Sequence, residues 1–237
     1  MQSIDVVILC GGLGKRLRPV VDGRPKSMAD VNRRPFLNVL LQYINSYGFK
    51  RAVLCTGYMG GIIREYYQKN STSLKIVYSE EKEPLGTGGA LKKSEPLIKS
   101  KTFLVMNGDS FCPIDFSKFI EFHLMQKALV SIALTSVKQG RNSGKVRLDN
   151  NNRIASFEEK AELKGRQYSS VGIYLMEKRI FSLMGKREKF SLEYDFFPDL
   201  IEHGYYGYIT EENLLDIGTP EEYKKAQNFF KNKPELL

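Results

Sequence analysis

The chain has 237 residues, 42% of them apolar and 27% charged, an ordinary globular composition long enough to bury one large core. No apolar run approaches the ~20 residues that a membrane helix needs, and Met1 to Cys10 lacks a basic n-region and runs straight into glycines, so it reads as a first strand and not a signal peptide. The formal charge of +9 comes from 36 basic and 27 acidic residues; without a basic run, stripe or arm it favours a solvated surface or small phosphorylated ligands over nucleic acid or membrane.

Taken in chain order, the first half alternates apolar runs with amphipathic ones. Asp5 to Cys10 predicts a strand, and Pro35 to Tyr47 a helix, with Phe36, Val39, Leu40, Tyr43, Ile44 and Tyr47 on one face and Gly48 behind it. Arg51 to Cys55, Leu74 to Tyr78 and Thr102 to Met106 predict further strands, separated by helices over Gly60 to Lys69 and Gly88 to Ile98. Apolar runs that do not alternate, interleaved with helices, indicate parallel strands covered on both faces. The fold class is therefore α/β and doubly wound, with ligands expected beyond the carboxyl ends of the strands.

The second half is more mixed. Ser117 is expected to cap a helix reaching about Gln126, followed by the apolar run Ala128 to Val137. Lys145 to Leu148 and Ile154 to Phe157 flank Asn150-Asn151-Asn152 as a hairpin. Ser169 to Met176 predicts a strand, and Leu192 to His203 a helix. A last helix starts at Thr219-Pro220-Glu221-Glu222, a capping box with proline in first position. No linker or repeat interrupts the pattern, so one domain is expected over 1–237, with halves of about 1–115 and 116–230. Cys10, Cys55 and Cys112 have no metal-ligand spacing and read as free thiols in a cytoplasmic protein.

Four segments and two single residues, Lys26 and Asp216, can carry chemistry. Gly11-Gly12-Leu13-Gly14-Lys15-Arg16 follows the first strand, and three glycines in four positions let backbone N–H groups turn toward one anion. No Gly-Lys-Ser/Thr follows, and Leu17 replaces the third glycine of a dinucleotide fingerprint. A plain turn is the rival reading. Lys26, stiffened by Pro25, adds a cation whose value depends on that loop. Glu83 to Ala90 is a second glycine-rich strand end, and two such loops in one small fold favour a shared ligand. Asn107-Gly108-Asp109 follows a buried strand; the dipeptide also fits a hairpin turn, but Ser110 to Ile114 is no matching partner strand. Asp216 ends an apolar run just before a helix that Thr219 already caps. Two carboxylates at neighbouring strand ends suit Mg²⁺, which takes one or two carboxylates plus phosphate oxygens. Glu158-Glu159-Lys160 closes the hairpin, where a solvated charge cluster is the plainer reading.

Taken together, CGGLGKRLRP, RPK, EPLGTGGA, NGD, FEEK, VGIY and DIGTPEEY stand in one order across residues 10 to 223. In this order they resemble the sugar nucleotidyltransferase (nucleotide-sugar pyrophosphorylase) family. EKEPLGTGGA and KFSLEYDFFP look most like its short bacterial guanylyltransferases for D-glycero-D-manno-heptose 1-phosphate and mannose 1-phosphate.

The resemblance implies a Rossmann-like (GT-A-like), mixed and mostly parallel sheet flanked by helices in three layers. It also implies transfer of a nucleotide from an NTP to a sugar 1-phosphate with release of pyrophosphate, in the service of nucleotide-sugar biosynthesis. By the same resemblance Cys10, Gly11, Gly12, Gly14, Lys15, Glu81, Gly86 and Thr87 would hold the nucleotide. Arg16, Lys26, Asp109, Lys160 and Asp216 would serve catalysis, Asp109 and Asp216 as ligands of Mg²⁺. Asn107, Gly108, Gly144, Glu159, Lys160, Ser170 and Gly172 would line the sugar-phosphate side.

The chain departs from the family pattern at Lys15, where threonine is usual, and at Ser170, where asparagine often meets the sugar. GTP is expected because a carboxylate at Glu81 can accept the two adjacent N–H donors of guanine, while thymine and uracil would present carbonyls to it. The partners expected are these small molecules, with a homodimer left open. A metal-dependent glycosyltransferase is the nearest rival, but the chain has no Asp-x-Asp motif. A non-catalytic regulatory module is the other, and the retained phosphate and metal residues speak against it. The stretch after the last helix is expected to hold no acyltransferase or regulatory β-helix.

Overall fold

Val6 to Leu9 is apolar on both sides of its pleat because it lies at the middle of a sheet. The computed structural model describes residues 4–21, 23–136, 145–158 and 167–236. In chain order the first half holds β1 (Asp5–Leu9), a short ribbon of β2 (Asp30–Val31) and β3 (Arg34–Pro35), α1 (Phe36–Ser46), β4 (Arg51–Thr56), α2 (Gly60–Lys69), β5 (Lys75–Glu80), α3 (Gly86–Ser94) and β6 (Thr102–Asn107). The second half adds β7 (Ser110–Phe111), α4 (Phe116–Met125), β8 (Val130–Ser136), β9 (Lys145–Leu148), β10 (Ile154–Glu158), β11 (Tyr168–Glu177), β12 (Tyr205–Thr210), β13 (Leu215–Asp216) and α5 (Pro220–Asn232).

Nine strands form one mixed sheet in the order β10-β9-β11-β6-β1-β4-β5, with β8 beside β11 and β12 beside β8. Its first-half strands are parallel: β1 pairs with β4 and β6, and β4 with β5. The doubly wound expectation therefore holds, and β11, antiparallel to both β6 and β8, joins the second half.

The pleat sorts side chains into two cores. Val6, Ile8, Leu54 and Met106 pack under α1, α4 and α5 with Phe36, Phe119 and Phe230. Val7, Val53 and Val105 face the other side with Leu91 of α3, Phe181 and Phe197. Helices on both faces of the sheet make three layers.

Two expectations need correction, and one strand was not foreseen. Asp115, not Ser117, caps α4: its carboxylate accepts from the backbone N–H groups of Ser117 and Lys118 at 2.9 and 3.1 Å. Leu192 to His203 is not an α-helix but a π-turn over Leu192–Phe196 followed by a 3-10 turn over Phe197–Leu200. Pro198 in that segment has no N–H to give to a regular helix. The strand β12 has no counterpart in the sequence reading; it pairs in parallel with β8, residues about 75 positions away. The hairpin of β9 and β10 is present, its turn held by the Asp149 carboxylate on the N–H groups of Asn151 and Arg153, both at 2.8 Å. All three cysteines are buried and unpaired.

Candidate active site

The site begins where β1 ends. Cys10 donates its N–H to Cys55 at 2.8 Å, the last rung before the chain leaves the sheet. Gly11 follows, and a Cβ there would lie 2.5 Å from a carboxylate oxygen of Glu81. Gly14 has φ of +58° and lies against the Lys26 stem. Leu17, in place of a third glycine, is buried and anchors the loop through its N–H to Gly14 O at 3.0 Å. Lys15 and Arg16 are exposed at the loop's outer turn. Burial holds the Cys10 thiol far above its ordinary range, so it serves as an inert wall.

Beyond these strand ends lies a cleft of about 260 Å³. It is lined by Cys10, Gly11, Gly12, Lys26, Glu81, Gly86, Thr87, Asn107, Gly108 and Asp109, together with Leu9, Leu13, Ser27, Pro84 and Ala90. Both glycine-rich segments thus face one cavity. Glu81 stays in register through its N–H to Thr56 O at 2.8 Å, and its carboxylate accepts from Leu85 N–H at 3.3 Å. Burial raises its pKa from the ordinary value, against the Leu85 hydrogen bond and the charge of Lys93.

The glycines of the second loop also have a packing cause. Gly88 donates to Phe190 O and Phe190 to Leu85 O, both at 2.9 Å. Side chains at Gly86, Gly88 or Gly89 would run into the segment 188–190.

A third wall is acidic. Ser110 and Phe111 turn away from β6 and pair with Asp216 and Leu215, so the Asn107-Gly108 step is no hairpin. Ile217 N–H donates to Asp109 O at 3.0 Å and ties the two segments together. Lys26 Nζ lies 2.8 Å from Asp109 Oδ2 and 4.0 Å from Asp216 Oδ1. Burial, then the charge of Asp109, raises the Asp216 pKa, opposed by Lys26, the Gly218 N–H and Arg16. Thr219 caps α5 by accepting from Glu222 N–H at 3.3 Å, which leaves Asp216 out of the helix. Among the described residues no three His, Cys, Asp or Glu side chains form a metal cage. The oxygen pair Asp109 and Asp216 still suits a hard divalent ion that takes its remaining ligands from phosphate, and the pair already holds a cation in Lys26.

Behind Asn107 lies β11, none of whose residues lines the cleft itself. A bulge between Ser170 and Tyr174 turns Gly172 to φ of +74°, where a Cβ would lie 2.6 Å from Asn107 Nδ2. Ser170 Oγ accepts from Gly172 N–H at 3.1 Å and donates to Tyr174 OH at 3.3 Å. Asn107 Oδ1 is buried with no partner among the described residues. Gly144, Glu159 and Lys160 lie outside the described residues.

Glu193 carries no role in the sequence reading, yet it joins a cleft wall to β11. Its carboxylate accepts from Thr87 Oγ1 at 2.8 Å, Tyr174 OH at 2.9 Å and Ser191 Oγ at 2.9 Å. The available signal was its place in KFSLEYDFFP, a segment the helix expectation absorbed.

Residues 5–233 match the family described as Nucleotidyl transferase. The chain belongs to that family. Within it, the D-glycero-alpha-D-manno-heptose 1-phosphate guanylyltransferase of Aneurinibacillus thermoaerophilus is 37% identical over 225 residues, 94% of this chain and 97% of that one. The mannose-1-phosphate guanylyltransferase of Mycobacterium tuberculosis is 32% identical over 95% of this chain but 64% of its own length. Among solved structures, HddC from Yersinia pseudotuberculosis complexed with GMP-PN superposes with a TM-score of 0.82 at 34% identity, covering 97% of this chain and all of that one.

Proposed function

We propose that the chain is a sugar-1-phosphate guanylyltransferase, taking GTP and D-glycero-α-D-manno-heptose 1-phosphate or mannose 1-phosphate to the GDP-sugar and pyrophosphate. The observation that carries this reading is the meeting of Lys26, Asp109 and Asp216 at the mouth of a cleft walled by Gly11, Gly12 and Gly86. A phosphate oxygen of the sugar phosphate attacks the α-phosphorus in line, the bond to the bridging oxygen breaks, and pyrophosphate leaves with that electron pair.

Such chemistry needs positioning and charge neutralisation more than covalent help. The turned N–H groups of Gly11, Gly12 and Gly14 hold the triphosphate, with Lys15 adding charge at the outer turn. Arg16 and Lys26 neutralise the departing side, and Lys160 neutralises the sugar phosphate. Asp109 and Asp216 would hold Mg²⁺, which would supply charge stabilisation on the reacting phosphates. Ser170, Gly172, Asn107 and Gly108 border the sugar, with Gly144 and Glu159.

Base choice falls to Glu81, whose carboxylate at the cleft wall suits the adjacent N1–H and N2–H donors of guanine. Gly86 and Thr87 shape the floor beneath the base. Work as one domain in the cytoplasm fits these soluble substrates, and no helix among the described residues is long and apolar enough to cross a membrane.

The test is pyrophosphate release across a matrix of nucleotides and sugar 1-phosphates. GTP with one of the two sugars named should dominate. Turnover with dTTP or UTP equal to that with GTP refutes the base assignment, and turnover with neither sugar refutes the substrate.

A further inference from the structure

Resting on the reading of Asp109 and Asp216 as metal ligands, we propose that Lys26 is the built-in counterion of the metal site. In the nucleotide-free protein its ammonium stands in for the divalent ion and limits how tightly that ion binds. The triphosphate then draws Lys26 away, so that metal and nucleotide enter together.

Three observations carry this. First, Lys26 Nζ is 2.8 Å from Asp109 Oδ2 and 4.0 Å from Asp216 Oδ1, so one ammonium serves both carboxylates. Second, its side chain is 13% exposed, against 40% and 42% for the two aspartates. The cation sits on the protein side of the pair, and solvent reaches the carboxylates from the other. Third, it fits a slot bounded by glycines. Its stem lies against Gly14, and a Cβ on Gly218 would lie 3.1 Å from Nζ.

Two carboxylates this close repel unless a cation lies between them. Lys26 supplies one positive charge, enough to assemble the pair in advance but not to neutralise it. A divalent ion that takes both carboxylates meets the ammonium at close range with like charge. That repulsion is relieved when Lys26 finds a new anionic partner, and the phosphates bound by the adjoining glycine loop are within the same cleft. Arg16 also acts on Asp216, whose pKa its charge lowers, and its Nη2 would lie 3.4 Å from a Cβ on Gly218. Among the described residues the ion pair with Asp109 is made by Lys26 and not by Arg16, so Lys26 is the one that bridges the two.

Mn²⁺ binding to the nucleotide-free protein, followed by electron paramagnetic resonance or calorimetry, tests the proposal without any turnover. Lys26→Met, which removes the charge and adds no metal ligand, should bind Mn²⁺ at least about fivefold more tightly than the unaltered chain, the floor for unit charges about 4 Å apart in bulk water. The gain should vanish in Lys26→Met/Asp109→Asn. Equal or weaker Mn²⁺ binding by Lys26→Met overturns the proposal, and if Asp109→Asn alone still loses Mn²⁺, the metal-site reading survives it. A gain that persists in the double variant overturns both. Lys26→Gln repeats the measurement should Lys26→Met fail to fold.

Discussion

On the proposed reading, one side chain, Glu81, chooses the base. Its carboxylate is held between Gly11 and Gly57, where a Cβ at either position would lie 2.5 or 2.6 Å from Oε1. The neighbours that bear on its charge are the Leu85 N–H, the Lys93 ammonium and, across β4, the Cys55 thiol. Burial outweighs the first two and raises its pKa above the ordinary 4.5. The proposed guanine contact needs the ionised form, so kcat/KM for GTP should drop as pH is lowered, through a limb lying above 4.5. Glu81→Gln cannot ionise, so it should lose that limb. It should also lower the GTP-over-UTP preference by about tenfold or more, as expected for hydrogen bonds to a charged group. A pH profile of pyrophosphate release reads both effects. For stability the sign is that of a raised acid: Glu81 favours folding below its ordinary value, and that contribution is lost as pH rises through the raised one.

Asp109 belongs to the same scale. Its backbone carbonyl is used by Ile217 and its carboxylate by Lys26, so Asp109→Asn preserves the shape while removing a charge from the proposed metal pair. Turnover should fall by about 10²–10³ or more at any Mg²⁺ concentration, with little change in melting temperature. A mild loss removes Asp109 from the metal site.

Among the elements, α3 and the segment 188–192 explain both what was legible in the sequence and what was not. The helix α2 was readable to its end residues because its signals are local: glycines at the start, amphipathic spacing and a lysine in the last turn. The apolar core strands were readable because burial on both faces leaves no alternation. Leu192 to His203 misled because its apolar spacing looks helical while its real partners are distant. Leu192 N–H donates to Thr87 Oγ1 at 2.8 Å, and the preceding Phe190 covers the start of α3. The strand β12, Tyr-Tyr-Gly-Tyr-Ile-Thr, carries strand-forming tyrosines, isoleucine and threonine around Gly207, but its pairing with the distant β8 is not a local signal. At the site, glycine loops and strand-end aspartates were visible as motifs. Glu193 was not, because its meaning lies in three hydroxyls from three separate segments.

The packing of α3 also gives a test. The ring of Phe190 fills the space a side chain at Gly88 would need. Gly88→Ala should therefore destabilise the fold by about 1–3 kcal/mol, the usual scale of overpacking, and should lower the urea midpoint. It should also reduce affinity for the nucleotide, because the same turn bears Gly86 and Thr87. An unchanged midpoint would mean that the 188–190 segment moves aside without loss.

Across the whole molecule, the parallel strands separate function from stability. The cleft lies at the carboxyl ends of β1, β5 and β6, while the amino ends of β1 and β4 carry a buried ion pair. Asp5, 4% exposed, lies 2.9 Å from Arg51 Nη1 and accepts from Ser100 N–H at 3.2 Å. Arg51 Nη2 donates to Leu97 O at 2.7 Å, and Asp5 N–H donates to Ser100 Oγ at 2.9 Å. Two neighbouring strands and the turn before β6 are thus joined around one carboxylate. Removing one partner of a buried pair leaves an uncompensated charge, which costs about 3–5 kcal/mol. Arg51→Met should accordingly lower the unfolding free energy by that amount in denaturant titration. Because the pair is a strand length from Lys26 and Glu81, the KM values for nucleotide and sugar phosphate should hold at temperatures where the variant stays folded. A selective rise in one KM would show instead that the amino ends of the strands are coupled to the cleft.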